Sequence, residues 1–559
     1  MSTIDTRQAQ AFPVLTAAQI ETASRFASGP AQAFAPGVPI FAIGDEHAPT
    51  WLVLDGAIAV HRRDGLSDEV RITVHGPGQF SGEVSQLAGR PSLAGGVAGD
   101  TGCTALPFDA AHLRALMVGS AELGEVVMRA LILRRVGLIE AGGSGSVLIG
   151  DPDSKALLAL QGFLTRSGYP NLVLDAAVDG EGHDMVERLG VLPAELPLMI
   201  CPNGTVLRNP NMSEVAACLG MIAELDPDKI YDVAIVGAGP AGLAASVYAA
   251  SEGLAVIVLD EVAMGGQAGQ SNQIENYLGF PTGISGQALA GRAFNQALKF
   301  GAEVAIPLCA EKLECTTEER AAALSLHLSE HRSLRTRTVV IASGARYRRP
   351  DVPDLAKFEG AGISYWASPI EAKLCTGEQV ALVGGGNSAG QAVVFLAPHV
   401  ARLHLIVRRP LEATMSRYLI DRIAALPNVE LHVGSEIVAL DGDASGALAG
   451  ATFRNRADGA ESHCTMRHLF LFIGADPNAA WLDGCVATDP AGFVLTGAGF
   501  ATDAGSHGRA ALPLETSRAG VFAIGDVRAG STKRVAAAVG EGAAVVAQIH
   551  SALAHLAEA

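Results

Sequence analysis

The sequence predicts a multidomain α/β protein. It should have an N-terminal β-barrel or jelly roll with helices, then a small α/β domain, then two nested α/β domains. Three observations predict this. The chain has 559 residues, too many for one core, and that length suggests roughly three or four domains. Short strands punctuated by turn residues fill the first part of the chain. Two separate stretches, residues 231–248 and 379–391, read as strand, glycine turn and helix.

Composition narrows the function classes. The balance of 40 basic to 58 acidic residues gives a formal charge of -18, which argues against binding nucleic acid or an anionic membrane. The eight cysteines include no Cys-x-x-Cys pair and no zinc-ribbon spacing, so no metal site is expected. Scattered cysteines read as reduced, mostly buried thiols. The N-terminus lacks an apolar signal core, and no apolar run free of charge, Gly or Pro reaches the roughly 18 residues of a membrane span. A soluble, cytoplasmic protein is expected.

Residues 1–140 place strands at 51–54 before Asp55-Gly56, at 58–60, and at 71–74 before Gly76-Pro-Gly78, with helical segments from 110 to about 139. The stretches Gly76-Pro-Gly-Gln-Phe-Ser-Gly-Glu-Val-Ser-Gln-Leu87 and Arg90-Pro-Ser-Leu-Ala94 resemble a cyclic-nucleotide-binding domain. The resemblance implies that Gly82 and Glu83 open a phosphate-cradling helix. It also implies an Arg directly after the proline, but Ser92 stands there and Arg90 lies before Pro91. A buried phosphate would lack its guanidinium partner. The expectation is a retained fold that has lost the nucleotide and serves docking or dimerisation.

After the linker 141–146, residues 147–222 read as strand 147–149, helix 154–167, strand 171–174, a short helix at 184–189, a hairpin over 196–208 turning at Asn203-Gly204, and a last helix from Ser213. This order is similar to a thioredoxin or glutaredoxin fold, with Pro197 where that family has a cis-proline. The first helix would carry the redox pair, but the residues are Asp151-Pro-Asp-Ser-Lys155, without a sulfur. Cys201 is expected to be packing.

The glycine stretch Gly237-Ala-Gly-Pro-Ala-Gly242 follows the apolar run 233–236. Gly237 permits the turn, Gly239 lets backbone N–H groups approach a pyrophosphate beside Pro240 and Ala241, and Gly242 allows close helix–strand packing. The helix N-terminus favours the phosphates. Strand 255–259 ends at Asp260, placed to accept from a ribose hydroxyl.

From Lys229 onward the chain resembles the thioredoxin-reductase-like branch of the pyridine-nucleotide disulfide oxidoreductases, with motifs in the same order. The resemblance implies that Gly265-Gly266-Gln267 and Glu275-Asn276 line a flavin, whose donors and acceptors suit amide side chains. It implies that Gly520-Val-Phe-Ala-Ile-Gly525-Asp526 closes the FAD site, with Arg534, Val535 and Ala536 starting a helix aimed at the flavin. A second unit, Gly384-Gly-Gly386-Asn387-Ser388-Ala389, sits between the flavin segments, with alanine in the third place. Strand 403–407 ends in Arg408-Arg409, and Arg417 follows. Guanidiniums attract a 2′-phosphate, so NADPH is expected in preference to NADH. The domains are then Rossmann-like: FAD-binding over 229–347 and 468–559, NAD(P)H-binding over 348–467.

In thioredoxin reductases a Cys-x-x-Cys pair precedes the second nucleotide unit. Here Trp366 and Pro369 occupy the cysteine places, and Ile370 replaces the family acid. Cys375 nearby reads as structural. The resemblance therefore implies hydride transfer from nicotinamide to flavin N5 and onward transfer to an acceptor other than an internal disulfide: oxygen, a quinone, a small molecule or a redox protein. The alternatives are a reductase of partner cysteines and a non-catalytic flavin redox sensor. A homodimer is expected from the family.

Overall fold

The computed structural model describes residues 6–63, 69–140, 146–178, 180–221, 225–271, 273–314, 324–360, 362–443, 446–500 and 510–558. Linker residues 141–145 and Cys315 lie outside the described residues.

The first unit is an antiparallel sheet of β1 (Gln32–Phe34), β2 (Pro39–Phe41), β3 (Thr50–Arg62), β4 (Val70–His75) and β5 (Gly95–Phe108). The expected turn at Asp55-Gly56 is instead an irregularity inside one long strand, β3. Gly56 has φ +72°, and a Cβ there would stand 2.1 Å from the carbonyl oxygen of Gly102 on β5, so turn chemistry serves a bulge. The expected helical segments are two: α1 (Ala110–Gly119) and α2 (Ala121–Glu140), separated at Ser120.

Helix α2 sends two arginines under the sheet. Arg134 donates from Nε to Ala11 O (2.8 Å) and from Nη1 to Phe80 O (2.8 Å) and Gly82 O (3.0 Å). It also lies over the rings of Phe12 and Phe80. Arg135 forms an ion pair with Glu83 at 3.7 Å, both side chains being 11% exposed. Arg90 points away, over the ring of Phe294 in the third unit. Ser92 is occupied locally, donating to Ala94 O.

The second unit comprises β6 (Ser146–Gly150), α3 (Lys155–Arg166), β7 (Asn171–Asp175), α4 (Glu181–Leu189), β8 (Leu198–Ile200), β9 (Val206–Arg208) and α5 (Met212–Cys218). The sheet order is β7-β6-β8-β9, with β6 parallel to β7 and antiparallel to β8. Ser154 caps α3, and the Leu196–Pro197 bond is cis. The cysteine reading needs correction: Cys201, just past β8, is disulfide-bonded to Cys218 of α5, with Cα atoms 6.5 Å apart. Cys485 is also disulfide-bonded. A separation of 17 residues has no signature in sequence, and only the packing of α5 on the hairpin brings the two together.

The third unit is built on β10 (Ile230–Val236), β11 (Val256–Leu259), β12 (Glu303–Ala305), β13 (Ala310–Leu313), β14 (Leu324–Leu328), β15 (Arg332–Ile341) and, from the far end of the chain, β26 (Val521–Ala523). The sheet order is β12-β11-β10-β15-β14-β13, with β26 on β15. All of β11 is buried, as a parallel strand covered on both faces should be. Helix α6 (Pro240–Ser251) packs against both α7 (Gly286–Lys299) and α11 (Val535–Glu558). The segment Val535–Leu556 is long and apolar enough by composition to cross a membrane. Here it buries Val545, Val546, Ile549 and Ala552, each Val or Ile worth about 1.5–3 kcal/mol of transfer free energy. One apolar cluster joins Leu113, Leu116 and Leu131 of the first unit to Val233, Ile235 and Val258 of this sheet, so the two share a core.

The fourth unit has β17 (Ile363–Ser364), β18 (Gln379–Val383), β19 (Arg402–Val407), β20 (Val429–Val433) and β24 (His468–Leu471), in the sheet order β17-β24-β18-β19-β20. It carries α8 (Pro369–Leu374), α9 (Asn387–Leu396) and α10 (Arg417–Ala424), and beside it lies the sheet β21 (Ser435–Gly442), β22 (Leu448–Asn455) and β23 (Glu461–Thr465). Because β24 pairs with β18, the sheet extends past the expected 467/468 boundary to Leu471. The two chain crossings, β16 (Ala345–Tyr347) and β25 (Ala475–Pro477), pair antiparallel with each other.

His75 is 2% exposed, and burial, then the nearby Arg134 guanidinium, push its pKa down to about 3 from 6.5. Its folded form therefore stays neutral while the unfolded chain takes up a proton. Stability is full above pH 6.5 and falls between 6.5 and about 3, by on the order of a few kcal/mol. Thermal unfolding across that range should show the loss, and His75→Phe should remove part of it.

Candidate active site

Each glycine turn is built by close approach. A Cβ on Gly237, whose φ is +114°, would stand 2.2 Å from Ala342 O of the segment following β15, and one on Gly242 would stand 1.8 Å from Gly237 O. Gly239, the N-cap of α6, has nothing within 4 Å of a Cβ and faces open space. In the second nucleotide unit Gly384 has φ +149° and would meet Phe472 O at 2.4 Å, whereas Gly386, the N-cap of α9, is clear.

Asp260 fastens the first turn. One carboxylate oxygen accepts from Ala238 N (2.8 Å), the other from Val262 N (2.9 Å) and Ala263 N (3.1 Å). Burial raises its pKa against these lowering hydrogen bonds. The acid expected at a ribose thus also shapes the loop. Burial likewise raises Asp526, against the charge of Lys533, whose Nζ donates to Asp526 O.

A cavity of about 1020 Å³ opens where these parts meet. That is at the top of the roughly 300–1,000 Å³ range of small-molecule sites. Of the residues expected at a flavin, its walls include Gly237, Gly239, Pro240, Ala241, Asp260, Gly266, Gln267, Asn276, Gly525, Asp526, Arg534 and Val535. Asn387 and Ser388 of α9 and Trp366 also face it. Gly242, Ala536, Gly384, Gly386, Ala389 and Pro369 are not on its wall; Gly242 and Ala389 are buried in packing. Arg408 and Arg409 stand exposed at the end of β19, and neither has an ion pair among the described residues. Arg417 is bound to Asp421 at 2.8 Å.

Side chains hold this wall in place. Trp366 donates from Nε1 to Glu371 (2.8 Å), which also caps α8 by accepting from Ser368 N (2.9 Å). Gln267 donates to Ala345 O. Arg422 of α10 reaches across to both oxygens of Glu275 at 2.8 and 2.7 Å, tying the fourth unit to the flavin-motif loop. Cys309 is a free thiol on the wall, and burial raises its pKa away from the thiolate. Cys375 is fully buried and burial pushes it up to about 11, as a structural thiol should be.

Sequence reasoning missed Arg166. It ends α3 in the second unit yet lines this cavity, between the negative charges of Asp260 and Glu371. Its Nε donates to Gly162 O (3.1 Å), and it has no carboxylate partner among the described residues. Burial lowers its pKa first, and those two acids oppose the shift. A basic residue in a helix's last turn reads as an ordinary C-terminal charge, so no local signal marked it.

One α/β nucleotide-binding domain inserted in another, both opening on one cavity, is the architecture of a two-nucleotide oxidoreductase. Residues 231–542 match the pyridine nucleotide-disulphide oxidoreductase family over more than half of the chain, and the chain belongs to that family. Residues 31–119 match the cyclic nucleotide-binding domain. The chain is 33% identical over 318 residues to NADPH-dependent thioredoxin reductase 3 of Arabidopsis thaliana, covering 56% of each protein. It is 30% identical over 317 residues to the bifunctional thioredoxin reductase/thioredoxin of Mycobacterium leprae, covering 57% of this chain and 64% of that one. It thus spans less than two thirds of the length of these relatives. Thioredoxin reductase of T. acidophilum superposes with a TM-score of 0.51 at 26% identity, covering 58% of this chain and 99% of that chain.

Gly242→Ala should lose the flavin and lower the unfolding temperature, since the new methyl would overlap Gly237 O; overpacking of this kind costs about 1–3 kcal/mol. Gly386→Ala, with clear space around it, should leave the unfolding temperature unchanged. Flavin absorbance after purification and thermal denaturation check both.

Proposed function

We propose that this protein is an FAD-dependent NAD(P)H oxidoreductase whose electrons leave to an acceptor other than a disulfide beside its second nucleotide unit. That acceptor is oxygen, a quinone, a small organic molecule or a redox protein. The observation that carries the reading is the shared cavity, walled by both nucleotide units and by Trp366, which stands with Pro369 where the family resemblance expects a redox cysteine pair. The free thiol on its wall, Cys309, cannot form an internal disulfide alone.

The residues fit a flavin dinucleotide. The N-terminus of α6 and the open flank of Gly239 suit a pyrophosphate, and Gln267 and Asn276 offer amides to a ring edge. A bound flavin would supply two-electron acceptance from reduced nicotinamide. The chain's own residues bind, orient and shield. Helix α11 points its positive end at the cavity, which favours negative charge developing there. Asn387 and Ser388 at the start of α9 receive the second nucleotide. Arg408 and Arg409 hold a 2′-phosphate, which selects NADPH over NADH. Trp366, fixed by Glu371, would shield a flavin bound in this cavity on the side that the family cysteines would use.

In the partner-cysteine reading, the thioredoxin-like residues 147–222, with no sulfur at the start of α3, would serve only as a docking surface. The N-terminal unit is a cyclic-nucleotide-binding fold that has lost its ligand: Arg135 already pairs with Glu83, and Arg134 takes the Gly82 carbonyl. The protein works in the cytoplasm as a homodimer.

Anaerobic mixing with NADPH should bleach the flavin absorbance, and stopped-flow reoxidation against a panel of acceptors identifies the electron exit. Flavin that neither nicotinamide reduces would sink the proposal; fast reoxidation only by a partner's disulfide would favour the partner-cysteine reading. Replacing Arg408 and Arg409 together by Gln should raise KM for NADPH about 10- to 100-fold and leave KM for NADH in place, as lost charge-assisted bonds of about 1.5–3 kcal/mol require. Cyclic AMP and cyclic GMP should leave the unfolding temperature unchanged, because a ligand that binds the folded state must raise it.

A further inference from the structure

We propose that His404, Glu430 and His432 form a site for a divalent cation of the zinc class on the outer strands of the nicotinamide-binding domain. The sequence showed no such constellation, because its members come from two strands 22 or more residues apart. The register assembles them. β19 and β20 pair in parallel with His404 directly opposite Glu430. His432 follows two residues along β20, on the same face as Glu430, since strand side chains alternate.

The distances are those of a coordination polyhedron. His404 Nδ1 lies 3.1 Å from His432 Nε2 and 3.6 Å from Glu430 Oε2, and His432 Nε2 lies 3.7 Å from Glu430 Oε1. Donors at roughly 2.0–2.1 Å from a tetrahedral zinc stand about 3.3–3.4 Å apart. The two nitrogens face different oxygens of the Glu430 carboxylate, and one donor atom from each of the three residues lies within 4.8 Å of the other two, so closing the set requires that carboxylate to turn one oxygen to both rings. Two imidazoles with one carboxylate suit zinc and its borderline neighbours, while magnesium and calcium require all-oxygen sites.

The surroundings keep the donors available. His404 is 10% exposed, and its Nδ1 faces both His432 and Glu430. Its Nε2 is buried without a partner, so the ring's polar contacts are those at Nδ1. Glu430 and His432, at 52% and 30% exposed, leave a path for the ion and room for a water in the fourth position. Arg402 lies 3.7 Å from Glu430 and is the cation that an incoming metal must outcompete. On the β23 side the charges of Glu430 and Arg402 reach the free thiol of Cys464. A bound ion would clamp the edge strand β20 to β19.

The full-length protein, stripped with chelator and dialysed, is titrated with zinc chloride by calorimetry and followed by thermal unfolding. The expected result is one equivalent taken up at this site, a raised unfolding temperature, no response to magnesium chloride, and weaker uptake on acidification as protons compete for the imidazoles. His432→Ala and Glu430→Gln, both on the exposed edge strand, should each bind one equivalent fewer and lose the thermal shift, with circular dichroism unchanged. Zinc uptake that is absent in the parent protein, or undiminished in both folded variants, overturns the proposal.

Discussion

The carboxylate of Asp260 is the constraint on which the cavity depends. It sits at the end of β11 and accepts from the backbone of the glycine turn on one side and of its own following loop on the other. A short acid with both oxygens engaged fixes the separation of two strand ends. It thereby sets how far the N-terminus of α6 stands from the loop that carries Gly266 and Gln267. Removing it would leave the part-buried Ala238 and Ala263 N–H groups, and the exposed one of Val262, without a partner in a space shaped for a ligand. The second nucleotide unit has no such acid at the end of β19, where Arg408 and Arg409 stand, and its turn is fastened differently, by Thr414 donating to Gly385 O and Asn387 accepting from Ser416 N.

Both glycine turns were legible in sequence because their chemistry is local. A backbone at φ +114° beside a carbonyl at 2.2 Å admits no other residue than glycine, so the letters report the geometry directly. The same holds for the hairpin around Asn203-Gly204, whose Gly204 N bonds Cys201 O. Where sequence reading failed, the cause was distance along the chain. Cys201 and Cys218 meet through the fold of a helix on a hairpin. Asp55-Gly56 has the composition of a turn, and only the neighbouring strand shows that it is a bulge. The 467/468 boundary missed β24 because the flavin-like motif resumes soon afterwards, while strand pairing continues with the earlier sheet.

In the N-terminal unit, two neighbouring arginines of one helix brace the segment that follows β4. Arg134 and Arg135 come from consecutive positions of α2, yet Arg134 serves carbonyls around its own unit, while Arg135 pairs with Glu83 and donates to Gly168 O of the second unit. The carbonyls of Phe80 and Gly82 gain a donor, and burial lowers the pKa of Arg134 to about 9. Phe12 and Phe80 flank that guanidinium, so part of its desolvation is offset by ring faces rather than by an anion.

Arg166 belongs by covalent order and by hydrogen bonding to the second unit, yet it forms part of the wall of a cavity made by the third and fourth. Units defined by sheets and units defined by the site therefore do not coincide. Residues 225–559 excised alone would retain both sheets and both glycine turns, and would present an incomplete surface to whatever occupies the cavity. Truncation there would also open the core that the first unit shares with β10 and β11.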